Sequence, residues 1–434
     1  MNLQQKCVRY LCRIIAVLIG VILIRHGIEE NNQGNLEQQM ESELEYSTKK
    51  QENEAEDIRV LLLSTGYISP VHPSTKVSAP SGILICYDDC KEKWETAETF
   101  VIEPDDERFI NSVIRMQAIE PEEEICVENI ERSYGNPTYS GIIELRSTAE
   151  GIAIINELPL EDYLCKVVPS EMPASYELEA LKAQAVCARS YAYQQMRDYS
   201  YPEYEAHVDD STKFQVYNNS KVQESSTNAV KETEGEEVWY KGNVVTTYYY
   251  STSCGMTTDL NAWGSEVNEE NAYLQSIKVK GKDGDYEKNL PWYRWEATVS
   301  AQTLSALVGL NTGVEVGIIQ SIEVTKQGAG DVVLQIVVRG NKGSVTIDTE
   351  NKIRTALGGK GYTITKNDGT KVNSTNLLPS AFFTIKKIGD QFVINGGGFG
   401  HGIGMSQNGA NEMAKEGKNY KEILQTFYQN VSIE

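Results

Sequence analysis

Residues 176–196 carry the most restrictive pattern in the chain. Leu178, Leu181, Ala185, Ala188 and Ala192 recur at helical spacing and share one face. A face built largely of alanine lets a neighbouring backbone approach closely, so this helix belongs at the centre of a packed core. Ser175 is the expected N-cap, and Glu177 and Glu179 suit the positive end of the helix dipole. Lys182 and Arg189 lie two turns apart on one stripe beside the apolar face. Directly before the helix, VVPSEMPAS (167–175) places Glu171 between Pro169 and Pro173, in a loop whose backbone is stiffened on both sides.

What surrounds that helix sets the fold class. Residues 58–155 consist of short strand-like runs separated by turn signals such as the Tyr134-Gly-Asn-Pro stretch. Two further strands, 237–240 and 244–252, are joined by the hairpin signal Lys241-Gly-Asn243. Residues 272–390 alternate strand and helix patterns, and helical patterns close the chain after a glycine-rich segment. The expectation is a mixed, multi-lobed α+β fold with a central helix beside β-structure. Its parts are a β-rich 58–155, a core segment 156–271, an α/β lobe 272–390, and a segment 391–434 that completes the core.

The N-terminus gives the address. Lys6, Arg9 and Arg13 precede an eleven-residue apolar run at 14–24, closed by Arg25 and His26. Such a run is short for a span, but snorkelling of the flanking arginines makes one transmembrane helix in 1–28 feasible. With the cations ahead of the run, an uncleaved signal anchor is preferred over a cleaved signal; both export the rest. Residues 29–57, with ten carboxylates and two lysines, read as a solvated tether. The expected location is the cell membrane, single-pass, with the folded part on the extracytoplasmic side. Forty Lys and Arg against sixty-two Asp and Glu give a net charge of −22, which argues against nucleic acid as a partner. Four histidines exclude a His-rich metal centre. Eight cysteines are too few for a disulfide scaffold, although Cys86 and Cys90 could close a small loop outside the cell.

Three places can carry chemistry. Glu171, beside Met172 and the two prolines, has surroundings that raise a carboxyl pKa and suit a general acid; the plain alternative is a surface glutamate supporting the helix start. Lys182 and Arg189 can hold a carboxylate or sugar oxygens, or be solvated helix charges. The segment 396–404 surrounds His401 with six glycines, permitting close backbone approach. It lacks the Gly-Lys-Ser/Thr of a phosphate loop. A tight turn that feeds a helix at Ser406, with His401 and Ser406 hydrogen-bonding into a cleft, competes with a purely structural glycine corner. Cys254 with His401 lacks an orienting third group, and the Cys and His spacings match no compact zinc site.

Together the stretches ELPLEDYLCKVVPSEMPASYELEALKAQAVCARSYA, DDSTKFQVY, NAVKETEGEEVWYKGNVVTTYYYSTSCG and GGGFGHGIGMSQNGANEMAKEGKNYKEIL resemble the stage II sporulation protein D family, from about residue 58 to the C-terminus. The resemblance implies a membrane-anchored peptidoglycan lytic transglycosylase, acting on glycan strands during engulfment. It places the catalytic glutamate at Glu171 and the helix cations at Lys182 and Arg189. Gln215, Tyr217, Tyr250, Ser251, Ser253, His401, Ser406 and Gln407 fall on cleft-lining motifs. Zinc occurs in some relatives, but the cysteines that would join His207 are missing, so no metal or other cofactor is expected. An amidase and a membrane complex are the partners the resemblance implies. A wall-binding, amidase-activating module without turnover is the rival reading.

Overall fold

The computed structural model describes residues 57–87, 93–109 and 113–434. The expected anchor and tether lie outside the described residues, apart from Asp57. Among the described residues no helix is long and apolar enough to cross a membrane. Seven α-helices lie among the described residues, beside several β-sheets, in a mixed α+β arrangement. Cys86 is disulfide-bonded, and Cys90, the candidate partner in the sequence, lies outside the described residues.

The largest sheet has nine strands. From one edge it runs Thr138–Tyr139, Ile125–Val127, Thr75–Tyr87, Ile114–Ala118, Ile142–Thr148, Gly151–Leu158, Ile58–Leu61 and Val208–Asp209, with Lys93–Ile102 also paired to Thr75–Tyr87. Its pairs are antiparallel except where Ile58–Leu61 meets Val208–Asp209. All eight residues of Gly151–Leu158 are buried, the signature of a strand covered on both faces.

That strand runs through Pro159 into helix α1, Leu160–Glu171. Leu160, Tyr163, Leu164, Val167 and Val168 repeat at helical spacing and are all buried. The loop expected around Glu171 is therefore the last turn of a helix. Pro169 lies inside that last turn and gives up the bond its N–H would make to the Cys165 carbonyl. The Ser170 hydroxyl donates back to the Lys166 carbonyl at 2.7 Å, and the Met172 amide closes the helix on Val168 at 2.9 Å.

Helix α2, Leu178–Gln195, is the expected central helix, buried continuously from Ala183 to Ser190. Its N-cap is Glu177, not Ser175, which is exposed; the Glu177 amide donates to Asn411 Oδ1 at 2.9 Å. Helix α3 (Glu224–Glu232) packs on α1 and α2. One hydrophobic core joins the nine-stranded sheet to α1–α3 and to the C-terminal helices.

A second core belongs to the inserted lobe. Its five-stranded antiparallel sheet has the order Lys371–Asn373, Thr363–Lys366, Trp295–Ser300, Gln391–Gly396, Phe383–Ile388. Helices α4 (Ala301–Thr312) and α5 (Glu350–Leu357) and a three-stranded meander complete it. Residues 391–396 therefore belong to this lobe: Phe392 and Ile394 alternate inward into its core. From Gly397 the chain returns to the first core and ends in α6 (Gln407–Lys415) and α7 (Tyr420–Phe427).

Candidate active site around Glu171

Three chain segments converge on Glu171. The Val216 amide donates to its Oε1 at 2.5 Å. The Gln407 amide, at the start of α6, donates to the Glu171 carbonyl oxygen at 3.0 Å and to Gln184 Oε1 of α2 at 3.3 Å. Oε2 makes no hydrogen bond within the described residues, and the residue is half-buried. Burial pushes the carboxyl up to about 7, against the single backbone hydrogen bond that pulls it down. Near neutrality this group is therefore divided between acid and carboxylate.

Its surroundings are phenolic. Burial raises the hydroxyls of Tyr163, Tyr191 and Tyr249, and the Glu171 charge adds to each rise, so all three lie within its electrostatic reach. Gln215 links two of them: Tyr163 donates to its Oε1 at 3.2 Å, and its Nε2 donates to the Tyr249 oxygen at 3.1 Å and the Ala188 carbonyl at 3.3 Å. Gln215 is buried and next in sequence to Val216, so this framework also fixes the amide that holds Glu171. Tyr217 faces the core instead, its hydroxyl on Asn156 Oδ1 at 2.7 Å.

The glycine-rich segment docks on the same strand. Tyr249–Tyr250 pairs in parallel with Met405–Ser406. The Nε2 of His401 donates to the Tyr249 carbonyl at 2.9 Å, and its Nδ1 accepts from the Ile403 amide at 3.1 Å. Both ring nitrogens are thus engaged by backbone, and burial first, then the Arg354 charge, lowers the imidazole to about 4. His401 is a neutral structural tie here, not a hydrogen-bonding group facing a cleft. Gly400 and Gly404 have φ of +118° and +76°, and a Cβ on Gly404 would lie 2.0 Å from the Tyr248 carbonyl oxygen, so the turn requires glycine. Tyr250 packs against His401 with ring centroids 5.5 Å apart and the rings tilted by 55°, and its buried hydroxyl has no hydrogen-bond partner among the described residues.

The two cations of α2 lie elsewhere. They do share a stripe, but Gln184, which faces Gln407, is roughly 200° from Lys182 and 140° from Arg189 around the helix. Arg189 is buried, with Nε and Nη2 on Glu161 at 2.6 and 2.8 Å and further bonds to the Glu236 and Val230 carbonyls. Lys182 pairs with Glu232 at 2.6 Å and Glu179 at 3.1 Å. Both support helix packing on the side away from Glu171.

Ser253 and Ser406 meet at a residue the sequence did not point to. Glu287 is fully buried, accepting from the Ser253 amide at 2.8 Å, the Ser406 hydroxyl at 2.7 Å and the Ser253 hydroxyl. Burial raises it to about 7 despite these bonds. Ser406 also caps α6 by accepting from the Gly409 amide at 3.2 Å. Ser251 is half-buried; its carbonyl accepts from the Asn408 backbone and side-chain amides, both at 3.0 Å. Glu287 lies in a loop with no periodic or motif signal, and the two serines expected to line a cleft turn inward to it instead.

Among the described residues no group of three His, Cys, Asp or Glu side chains is arranged to hold a metal ion. His207 accepts the Arg59 amide on Nδ1 at 3.0 Å and stacks on Tyr199 at 4.8 Å.

Residues 148–240 match the model of the stage II sporulation protein family, and residues 236–404 match a domain of unknown function. The chain is 33% identical over 297 residues to stage II sporulation protein D of Bacillus subtilis, covering 64% of this chain and 75% of that protein. It is also 33% identical over 299 residues to an uncharacterized protein of Brachyspira hyodysenteriae, covering 68% and 72%. An amidase enhancer of Bacillus subtilis is 29% identical over 295 residues, covering 62% of this chain and 39% of that protein.

Proposed function

The chain belongs to the stage II sporulation protein D family, and from that premise we propose that it remodels the cell wall during sporulation as a membrane-anchored lytic transglycosylase. The observation that carries the reading is Glu171: one carboxyl pushed up to about 7 by burial, with one oxygen that has no partner among the described residues. Most glycosidases need a second carboxylate to activate water or attack the sugar. A transglycosylase needs only one, because the substrate supplies its own nucleophile.

The protonated Glu171 donates to the oxygen linking N-acetylmuramic acid C1 to N-acetylglucosamine. The C1–O bond breaks and the N-acetylglucosamine end leaves as an alcohol. Glu171, now a carboxylate, accepts the proton of the muramic C6 hydroxyl as that oxygen closes on C1. The products are a free sugar end and a 1,6-anhydro end; no water is consumed and the enzyme's proton is restored. A pKa close to neutral suits a group that must both give and take a proton. The Val216 amide holds Oε1, leaving Oε2 as the reacting oxygen.

The likeness to an amidase enhancer favours a second reading, in which the chain binds glycan and activates an amidase without cleaving strands itself. Incubating the full chain alone with peptide-free glycan strands separates the two. Mass spectrometry finds anhydro ends for the transglycosylase and unchanged strands for the activator.

A further inference from the structure

A cavity of about 600 Å³ lies where the first core meets the inserted lobe. Lys278, Lys280 and Asp285 line it from one side, and Arg294, Asn395 and Gly397 from the other. Its volume is within the range of sites that hold small ligands or short polymer segments. It does not include Glu171.

The lining is unusual for so acidic a chain. Three cations gather against two carboxylates, Asp285 and Asp331, and Asp285 already accepts the Tyr293 hydroxyl at 2.5 Å. Lys278 and Lys280 form no ion pair among the described residues, whereas Lys182 and Arg189 are both paired. Arg294 is held firmly: its Nη1 donates to the Tyr293 and Cys254 carbonyls at 2.7 and 3.0 Å, and the guanidinium covers the Tyr293 ring at 3.9 Å. Gly397 is needed as floor, since a Cβ there would lie 2.7 Å from Cys254 Cβ and 3.0 Å from Arg294 Nη1.

An aromatic pair follows directly. Phe399, 39% exposed, packs on Trp292 with ring centroids 4.7 Å apart. Glycines at φ +81° and +118° flank Phe399, and its backbone pairs with Thr252, so the ring is presented on a fixed support. Lys366 sits 5.1 Å over the Trp292 ring. A fixed exposed ring backed by a half-buried indole, beside cations and amides, suits the apolar face, hydroxyls and carboxylates of an amino-sugar strand. The cavity is also tied to the candidate active site: Cys254 in its wall follows Ser253, and Ser253 and Ser406 share Glu287 immediately before Gln407 reaches Glu171.

We propose that this cavity and the Trp292–Phe399 pair form a remote glycan-binding subsite that grips an anionic amino-sugar strand at a distance from Glu171. The proposal rests on the wall-glycan reading above, but not on turnover. The test uses the full chain carrying Glu171→Gln, so that nothing is cleaved, and measures affinity for peptide-free glycan strands of about eight sugars and for a tetrasaccharide. Lys278→Glu with Lys280→Glu, both exposed, weakens the long strand about tenfold and leaves the tetrasaccharide within about twofold. Phe399→Ala acts in the same direction. Unchanged affinity for the long strand in both variants overturns the subsite, as does an equal loss for the two lengths. If the unmutated chain makes no anhydro ends yet shows this length-dependent loss, the catalytic reading fails and the subsite stands.

Discussion

Glu171 and Glu287 are both glutamates whose carboxyls are raised to about 7 by the same cause, loss of water. Their partners differ. Glu287 accepts from Ser253 and Ser406 through both oxygens and has no exposed surface. Glu171 accepts one backbone amide on one oxygen and remains half-buried, among phenols. A perturbed pKa therefore does not distinguish a reacting carboxyl from a structural one; an uncommitted oxygen does. Glu287 ties two segments together under α6, and Glu171 stands where those segments meet α1.

The sharpest way to break this contrast is to remove the structural member. Glu287→Ala removes the acceptor shared by three buried donors, leaving the Ser253 amide and the Ser406 hydroxyl with only long bonds at 3.2 and 3.5 Å and the Ser253 hydroxyl with none. It is expected to cost about 3 kcal/mol in unfolding free energy. Glu287→Gln keeps an acceptor and recovers most of it, as denaturant titration will show. Next, Arg189→Ala removes a buried guanidinium with four bonds, for an expected loss of about 2–4 kcal/mol. Turnover per folded molecule should remain within about threefold, because the side chain faces away from Glu171; a collapse of turnover in stable protein would return Arg189 to the site.

The two carboxyls can also be compared through pH. A glutamate whose folded pKa is raised from 4.5 to about 7 favours folding fully below pH 4.5, and that contribution is lost as pH rises through 7. Glu171→Gln abolishes this loss, so relative to the unmutated chain the variant should be about 2–3 kcal/mol better off at pH 8 than at pH 5. Thermal melts at the two values provide the check; equal differences would mean the carboxyl is not shifted. The smallest effect is expected for Lys182→Ala, whose partners are partly exposed. Stability should change by less than about 1 kcal/mol and turnover by less than about twofold.

Much of this arrangement was legible in the sequence, though not always for the right reason. The alanine face of α2 identified a central helix. Glu171 stood out because two prolines bracket it, and those prolines suggested a loop where the structure has a helix end. Pattern alone cannot show that a proline sits inside the last turn of a helix and not beyond its end. The stripe of Lys182 and Arg189 was correctly drawn, but periodicity does not say which side of a helix a distant glutamate approaches. Only the contact from Gln184 to Gln407 settles that. Glu287 had no local signal, since its role depends on serines brought from two distant segments. His401 was conspicuous among glycines because the turn demands them, and the imidazole serves the same turn.

The central claim is that one carboxyl, Glu171, moves the proton in both halves of strand cleavage. It is tested most directly by counting anhydro-muramic ends released from peptide-free glycan strands by the full chain and by its Glu171→Gln variant near pH 6.5, with melts confirming that both are folded. The account predicts a fall of about 100- to 10,000-fold in the variant. Release at close to the unmutated rate would contradict it.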